Sequence, residues 1–315
     1  MKLKHIISVV VLILVSAACD QYEVFDKEQY KNRFALISGT DNVYEKFFDL
    51  RVAESTGYIS FSMGGTNPTD KDLTINLLED PSYIDSYNSS NYDMEIDKYA
   101  RKMPANKYDI SSLQCIIPAG EAGATVPVKI RPDGLSPDST YFIAVRVDNY
   151  SDYELNPVKN HVLFKVGIKN YYAKGDRSSS YTLIGRKSQL NNETGEYSLE
   201  ITVPGSKVVE PLAANKVRMM AGNEVYKSEL VTLINMAVVL EVDNDNKVTI
   251  SSYQNLDVKQ IDGDSEYPNI FRIEDDGFNT YKTFLLCYEY TLNGVTYKMR
   301  EEIRLQFVES DEEII

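Results

Sequence analysis

"TFLLCYEYTLNGVTYKMREEIRLQF", residues 283–307, alternates apolar and polar side chains on both sides of a two-residue turn, and this stretch decides the fold class. Asn-Gly is the preferred pair of a type I′ turn, whose twist matches the two strands it joins. With Asn293-Gly294 at the tip, the register follows: Glu289 faces Lys298 and Thr291 faces Thr296 on one side, while Tyr290 faces Tyr297 and Tyr288 faces Met299 on the other. The same register places Glu301 opposite Leu286 on the apolar face. A bulge or a buried partner has to resolve that conflict.

The period of two recurs throughout the chain, in Ile59, Phe61 and Met63, in Leu73, Ile75 and Leu77, in Val126, Val128 and Ile130, in Tyr141, Ile143, Val145 and Val147, and in Val162, Phe164, Val166 and Ile168. Clusters of Gly, Pro, Asn and Asp such as "GGTNPTD" and "PDGLSPDS" separate these runs, and "PAGEAG" reads as a hairpin loop. Short strands at this spacing predict an immunoglobulin-like β-sandwich over residues 33–170. At "GIKNYYAKGDRSSS" the composition turns polar, which puts a domain boundary near Asn170. Residues 171–315 form a second antiparallel β domain, a meander that closes as a sandwich or as a small barrel. The fold class is all-β, with two domains.

One segment, residues 79–108, departs from the strand pattern. Asp80 followed by Pro81 is a helix start, and a short helix is expected from Pro81 to about Tyr87, with a further turn over Glu95–Lys102. This helical insertion carries Tyr83, Tyr87, Tyr92, Tyr99 and Tyr108. Tyr87 and Tyr92 bracket "NSSN", a run too polar for a core, so their rings together with the amides of Asn88 and Asn91 are the candidate ligand-binding residues. Sugar rings stack their C–H faces on aromatic planes and take hydrogen bonds from amides, which makes a glycan the chemically apt ligand. Packing of the five tyrosines against the sandwich is the competing account of the cluster.

The N-terminus has the layout of a secretory signal: Lys2 and Lys4, an apolar run from Ile6 to Val15, and Ser16-Ala17-Ala18 as the cleavage site. The run is shorter than the roughly 20 apolar residues that span a bilayer. Ser-Ala-Ala-Cys is similar to a bacterial lipobox, with Ser16 where Leu or Val is usual, so Cys19 is the expected lipidation site. Acyl chains there would anchor the protein to the membrane, each buried CH₂ contributing about 0.8 kcal/mol. The polar residues that follow, to Asn32, read as a tether reaching on the order of 20 Å.

The whole chain has 315 residues and a formal net charge of −14, and the loss of Lys2 and Lys4 with residues 1–18 makes it more acidic still. Nucleic acid is therefore excluded as a partner. Only Cys115 and Cys287 follow Cys19, each in an alternating strand, and they are expected as buried, unpaired thiols. Without tryptophan, and with His161 the single histidine after the leader, histidine triads and multi-histidine metal sites have no material. His161 itself is expected on the solvent face of its strand. "DNDNK" (243–247) and "DGDSE" (262–266) lack the spacing of a calcium loop, and "EDDG" (274–277) reads as a turn. No catalytic residue, metal ligand or cofactor is expected.

Two longer stretches carry a family resemblance. Residues 64–147, with "GGTNPTDKDLTINLLEDPSYIDSYN", "IPAGEAGATVPVKI" and "LSPDSTYFIAVRV", resemble a domain of uncharacterised function found in lipoproteins of Bacteroides-type polysaccharide-utilisation loci and fused to family 18 glycosidases. Residues 171–308, with "PLAANKVRMMAG" and "NIFRIEDDGFNTYKTFLLCYEYTLNG", look like the C-terminal domain that often follows it. The acidic signature of family 18 catalysis is absent here. The resemblance implies a non-catalytic outer-membrane lipoprotein at the cell surface, binding glycan or supporting a glycan-uptake complex beside an outer-membrane transporter. A structural or adhesive protein that recognises another protein is the alternative. Mass spectrometry of the membrane fraction is expected to find Cys19 acylated, and an unmodified thiol there would remove the anchor.

Overall fold

The structure, a computed structural model, describes residues 30–307. The signal segment, Cys19, the tether up to residue 29 and residues 308–315 lie outside it. The described chain is all-β, folded as two domains of two sheets each.

In the N-terminal domain, sheet A runs in the order Glu154–Leu155, Arg33–Leu36, Ser55–Gly64, Gly123–Ile130 and Tyr108–Ile110. Sheet B runs Val43–Asp49, His161–Lys169, Tyr141–Tyr150, Leu73–Glu79 and Gln114–Ile117. The expected apolar positions of the strands meet between the sheets, with Ile59, Ile75, Val128, Val145 and Phe164 in one core, joined there by Phe34. Strands that exchange between two facing sheets in this way make the immunoglobulin-like sandwich. Three pairings lie outside the sequence pattern, because they are parallel: Val43–Asp49 with His161–Lys169, Arg33–Leu36 with Glu154–Leu155, and Arg101–Lys102 with Tyr141–Tyr150. "PAGEAG" is not a hairpin. It carries the chain from sheet B to sheet A, pinned by Asp72 and Thr69, which accept from the N–H groups of Ala119 and Gly120 at 2.8 and 2.9 Å.

The C-terminal domain is a sandwich. Sheet C runs Ile201–Val208, Ser180–Gln189, Val295–Phe307, Thr280–Leu292 and Asp257–Gln260, with Ile270–Asp275 beside the other end of Thr280–Leu292. Sheet D runs Glu210–Ala213, Lys216–Met220, Ala237–Val242 and Val248–Ser252. Only sheet D is the expected meander; sheet C brings its first strand beside its last. Among the described residues the two sheets meet in a ladder sense at one corner, where Lys247 bridges Ile270.

The hairpin has the register that its turn dictates, with Glu289 opposite Lys298, Tyr290 opposite Tyr297 and Leu286 opposite Glu301. Asn293 and Gly294 both take positive φ, 52° and 78°, as a type I′ turn requires. The conflict at Glu301 is resolved by a buried partner. Lys207, from the edge strand of sheet C, brings its ammonium to 3.5 Å from the Glu301 carboxylate, and both side chains are withdrawn from water. Tyr288 donates to the same carboxylate at 2.7 Å, and Lys207 also donates to the carbonyls of Met220 and Gly222 at the end of a sheet D strand. Gly222 closes the circuit by donating its N–H to the Tyr288 hydroxyl at 2.8 Å. It has φ +56°, and a Cβ there would strike the Tyr290 hydroxyl. Burial pushes the lysine pKa down and the glutamate pKa up, each opposed by the other's charge.

Cys115 and Cys287 are buried and unpaired, one in each domain. Among the described residues no helix is long and apolar enough to cross a membrane.

Lys207→Met leaves a carboxylate buried without its cation and is expected to cost about 3–5 kcal/mol in urea denaturation. Adding Glu301→Leu is expected to recover about half of that loss or more, because the orphaned charge goes with it. A double variant no more stable than the single one would show that the pair does more than neutralise itself.

Candidate functional site

The insertion begins where Leu73–Glu79 ends. Asp80 accepts from the Ser82 N–H at 3.1 Å and the Ser82 hydroxyl at 2.6 Å, and takes Arg146 at 3.1 Å. Those bonds, led by the Ser82 hydroxyl, hold its carboxyl below the usual range. The helix that follows, α1, is Ser82–Tyr92, one turn longer than expected. "NSSN" continues the helix, and polar side chains along this stretch turn back onto it. The hydroxyls of Ser86 and Ser89 donate to carbonyls four residues earlier at 3.1 and 2.9 Å, and the Asn91 amide does the same to Tyr87 at 2.9 Å. The turn expected at Glu95–Lys102 is a 3-10 segment, Ile96–Lys98, followed by the short strand Arg101–Lys102, which pairs with Tyr141–Tyr150.

α1 lies on the outer face of sheet B. Ile84 packs with Ala100, Phe142, Ala144 and Leu163, with Tyr83 and Tyr87 at the margin. This covering explains His161. Instead of facing solvent it stacks on Tyr83, ring centroids 3.9 Å apart and planes at 21°, with Asn42 and Asn160 in hydrogen-bond range. Burial, and then the Lys159 charge, lower its pKa.

The four candidate residues are brought to one helix but not to one surface. Asn88 is buried, 3% exposed, and its amide is spent on Ala100: Nδ2 donates to the Ala100 carbonyl at 2.9 Å and Oδ1 accepts the Ala100 N–H at 2.8 Å. It splices the helix to the returning chain and is turned away from any ligand. Tyr87 is half-buried, edge-on to Phe142 at 5.0 Å and to Tyr92 at 6.1 Å. Burial first, and then the Tyr92 hydroxyl, push its phenol up to about 12, so it stays a neutral donor. Tyr92 is half-exposed and Asn91 exposed, at the end of the helix. The Tyr99 hydroxyl fixes that end by donating to the Asp93 carbonyl at 2.5 Å.

A second concavity was missed in the sequence. It lies at the junction of the domains, around "KNYYAK" (169–174), where two lysines and two tyrosines crowd together in an acidic chain. That clustering was the available signal. The junction is tightly made. Asn170 accepts from the N–H groups of Tyr172 and Ala173 and donates to the carbonyls of Ala213 and Lys216, at 2.8–3.0 Å. Asp138 of the N-terminal domain binds Arg218 of sheet D through both oxygens, at 2.6 and 2.8 Å, and Glu210 grips the same guanidinium. Among the described residues no group of three or more His, Cys, Asp and Glu side chains is placed to hold a metal ion.

Two family models match, one of an N-terminal domain over residues 25–154 and one of a C-terminal domain over residues 160–304, so nearly the whole described chain is covered by the pair. The chain therefore carries both domain types of this pair, in that order. Its solved relatives share the fold at low identity. A Bacteroides ovatus protein of unknown function is 13% identical with a TM-score of 0.61, over 88% of this chain and 95% of that one. A protein from Bacteroides thetaiotaomicron described as an auxiliary nutrient binding protein is 13% identical with a TM-score of 0.59, over 85% and 92%. A further Bacteroides ovatus protein of unknown function is 15% identical with a TM-score of 0.58, over 93% and 96%. No curated protein matches the chain.

The different placements of Asn88 and Tyr92 have measurable consequences. Asn88→Ala leaves the N–H and carbonyl of Ala100 buried without partners and is expected to cost about 2 kcal/mol. Tyr92→Ala is expected to cost less than about 1 kcal/mol. Thermal denaturation checks both, and equal losses would mean that Tyr92 is packing.

Proposed function

We propose that the protein is a non-catalytic binding module of the cell envelope, held at the outer membrane through Cys19, and that the end of α1 is a glycan-binding surface. The observation that carries this reading is the corner made by Tyr92 and Asn91. The Tyr92 ring stands edge-on to the Tyr87 ring, with the exposed Asn91 side chain beside them. The corner is mounted on a helix clamped at its start by Asp80 and at its middle by Asn88, so a ligand would meet an ordered surface and cost little ordering of loops. The nutrient-binding description of a relative with the same fold supports the reading. The resemblance to lipoproteins of polysaccharide-utilisation loci supports a place beside an outer-membrane transporter in a glycan-uptake complex.

A second reading, recognition of another protein, is favoured by one observation. Met94 and Ile96, directly after the helix, are 82% and 69% exposed.

A glycan array probed with the chain from residue 20 onward separates the two. Binding that is retained by Asn88-containing, folded protein and falls several-fold in Tyr92→Ala is expected for glycan recognition, each stacking contact being worth about 1 kcal/mol. An array without signal, together with a protein partner lost on Met94→Ser and Ile96→Ser, would turn the assignment to the second reading.

A further inference from the structure

We infer that the cleft at the domain junction is a second binding site, for a sugar that carries an anionic group such as a carboxylate or a sulfate. The cleft has a volume of ≈ 220 Å³. That is below the roughly 300 Å³ at which drug-sized pockets begin, and it suits a single ring. Among the described residues its ionic lining is Arg51, Lys169, Lys174 and Lys282 with Asp49, which is paired to Arg51 at 2.7 Å, so the lysines make a cationic spot on a chain of net charge −14.

The arrangement of two of these lysines points to an anion. Lys169 and Lys174 face each other in an isolated antiparallel bridge. Cβ atoms of residues so opposed stand about 5 Å apart on one face, and like charges there repel. Neither lysine has a carboxylate within ion-pair distance among the described residues, although acidic side chains outnumber basic ones, 47 to 33. An anion between the two ammonium groups converts that repulsion into two attractions.

The rest of the cleft fits a sugar better than a bare ion. Tyr171, Tyr172 and Phe307 give it an apolar wall for C–H groups, and Ser178 and Gln306 add side chains that hydrogen-bond hydroxyls. Lys282 adds charge without flexibility: it donates to the Tyr171 carbonyl at 2.5 Å, with its ammonium 4.2 Å from the centre of the Tyr171 ring and 4.7 Å from that of Phe307. Both domains and the linker contribute, so the ring would rest on a frame already fixed by Asn170 and Arg218.

The test is calorimetric titration of the full chain, at low ionic strength, with glucuronate, galactose 6-sulfate, unsubstituted galactose and inorganic sulfate. Binding of one or both acidic sugars is expected, weakening as salt is added, with no binding of galactose and at least tenfold weaker binding of inorganic sulfate. The solvent-exposed variant Lys174→Ala and the double variant with Lys169→Ala are expected to weaken it about tenfold or more while melting as the parent does. Glucuronate alone would identify a carboxylate site, and galactose 6-sulfate alone a sulfate site. Equal affinity for inorganic sulfate would reduce the cleft to a site for an adventitious ion only. Galactose binding as well as the acids, unchanged affinity in the double variant, or no binding at all would each overturn the inference. Tyr92→Ala should leave this binding untouched, which keeps its failure separate from that of the α1 surface.

Discussion

A carboxylate and an ammonium taken out of water in the middle of a β-sandwich must find each other, and the C-terminal domain is arranged around that requirement. Removing each ion from water costs several kcal/mol, and only close pairing with further hydrogen bonds offsets it. Glu301 is forced inward by a turn seven residues away, since Asn293-Gly294 fixes the register and a one-residue slip would reverse every side chain of the hairpin. Lys207 then has to come from the far edge of sheet C, and the carbonyls that complete its coordination come from sheet D. One ion pair thus specifies where three segments of chain lie relative to one another. A uniformly apolar core would leave the stacking of the two sheets less determined.

A similar device governs the relation between the domains. Arg218 is almost completely buried, with one carboxylate from its own sheet and one from the N-terminal domain, and the ring of Tyr253 lies 4.7 Å from its guanidinium. The planar fork of arginine engages both oxygens of Asp138, a geometry lysine cannot reproduce. With Asn170 fastening the linker to sheet D, the junction is a built surface with its own chemistry.

What could be read in the sequence was whatever depends on neighbours along the chain. The alternation of strands, the Asn-Gly turn and its register, and the anomaly at Glu301 are local facts, and each has its counterpart in the structure. The helix start at Asp80 was legible for the same reason, whereas its end was not. "NSSN" is polar by composition, yet Asn88 is core because Ala100, twelve residues away, presents a backbone pair to it. His161 was misplaced on the same account, since only the folded chain lays Tyr83 over it. The parallel strand pairs, the crossing at "PAGEAG" and the junction cleft all join distant segments, and no periodicity encodes them.

The setting of strand Arg33–Leu36 has a mechanical meaning. It lies inside sheet A, antiparallel to Ser55–Gly64 on one side and parallel to Glu154–Leu155 on the other, with Arg33 paired to Glu154 at 2.8 Å. Tension applied to the chain ahead of Tyr30 and directed along this strand would load its lateral hydrogen bonds together, in shear, and not one after another as in unzipping. Such a load would be resisted by the whole strand at once, and the first element of the fold to feel it would be among the last to yield piecemeal.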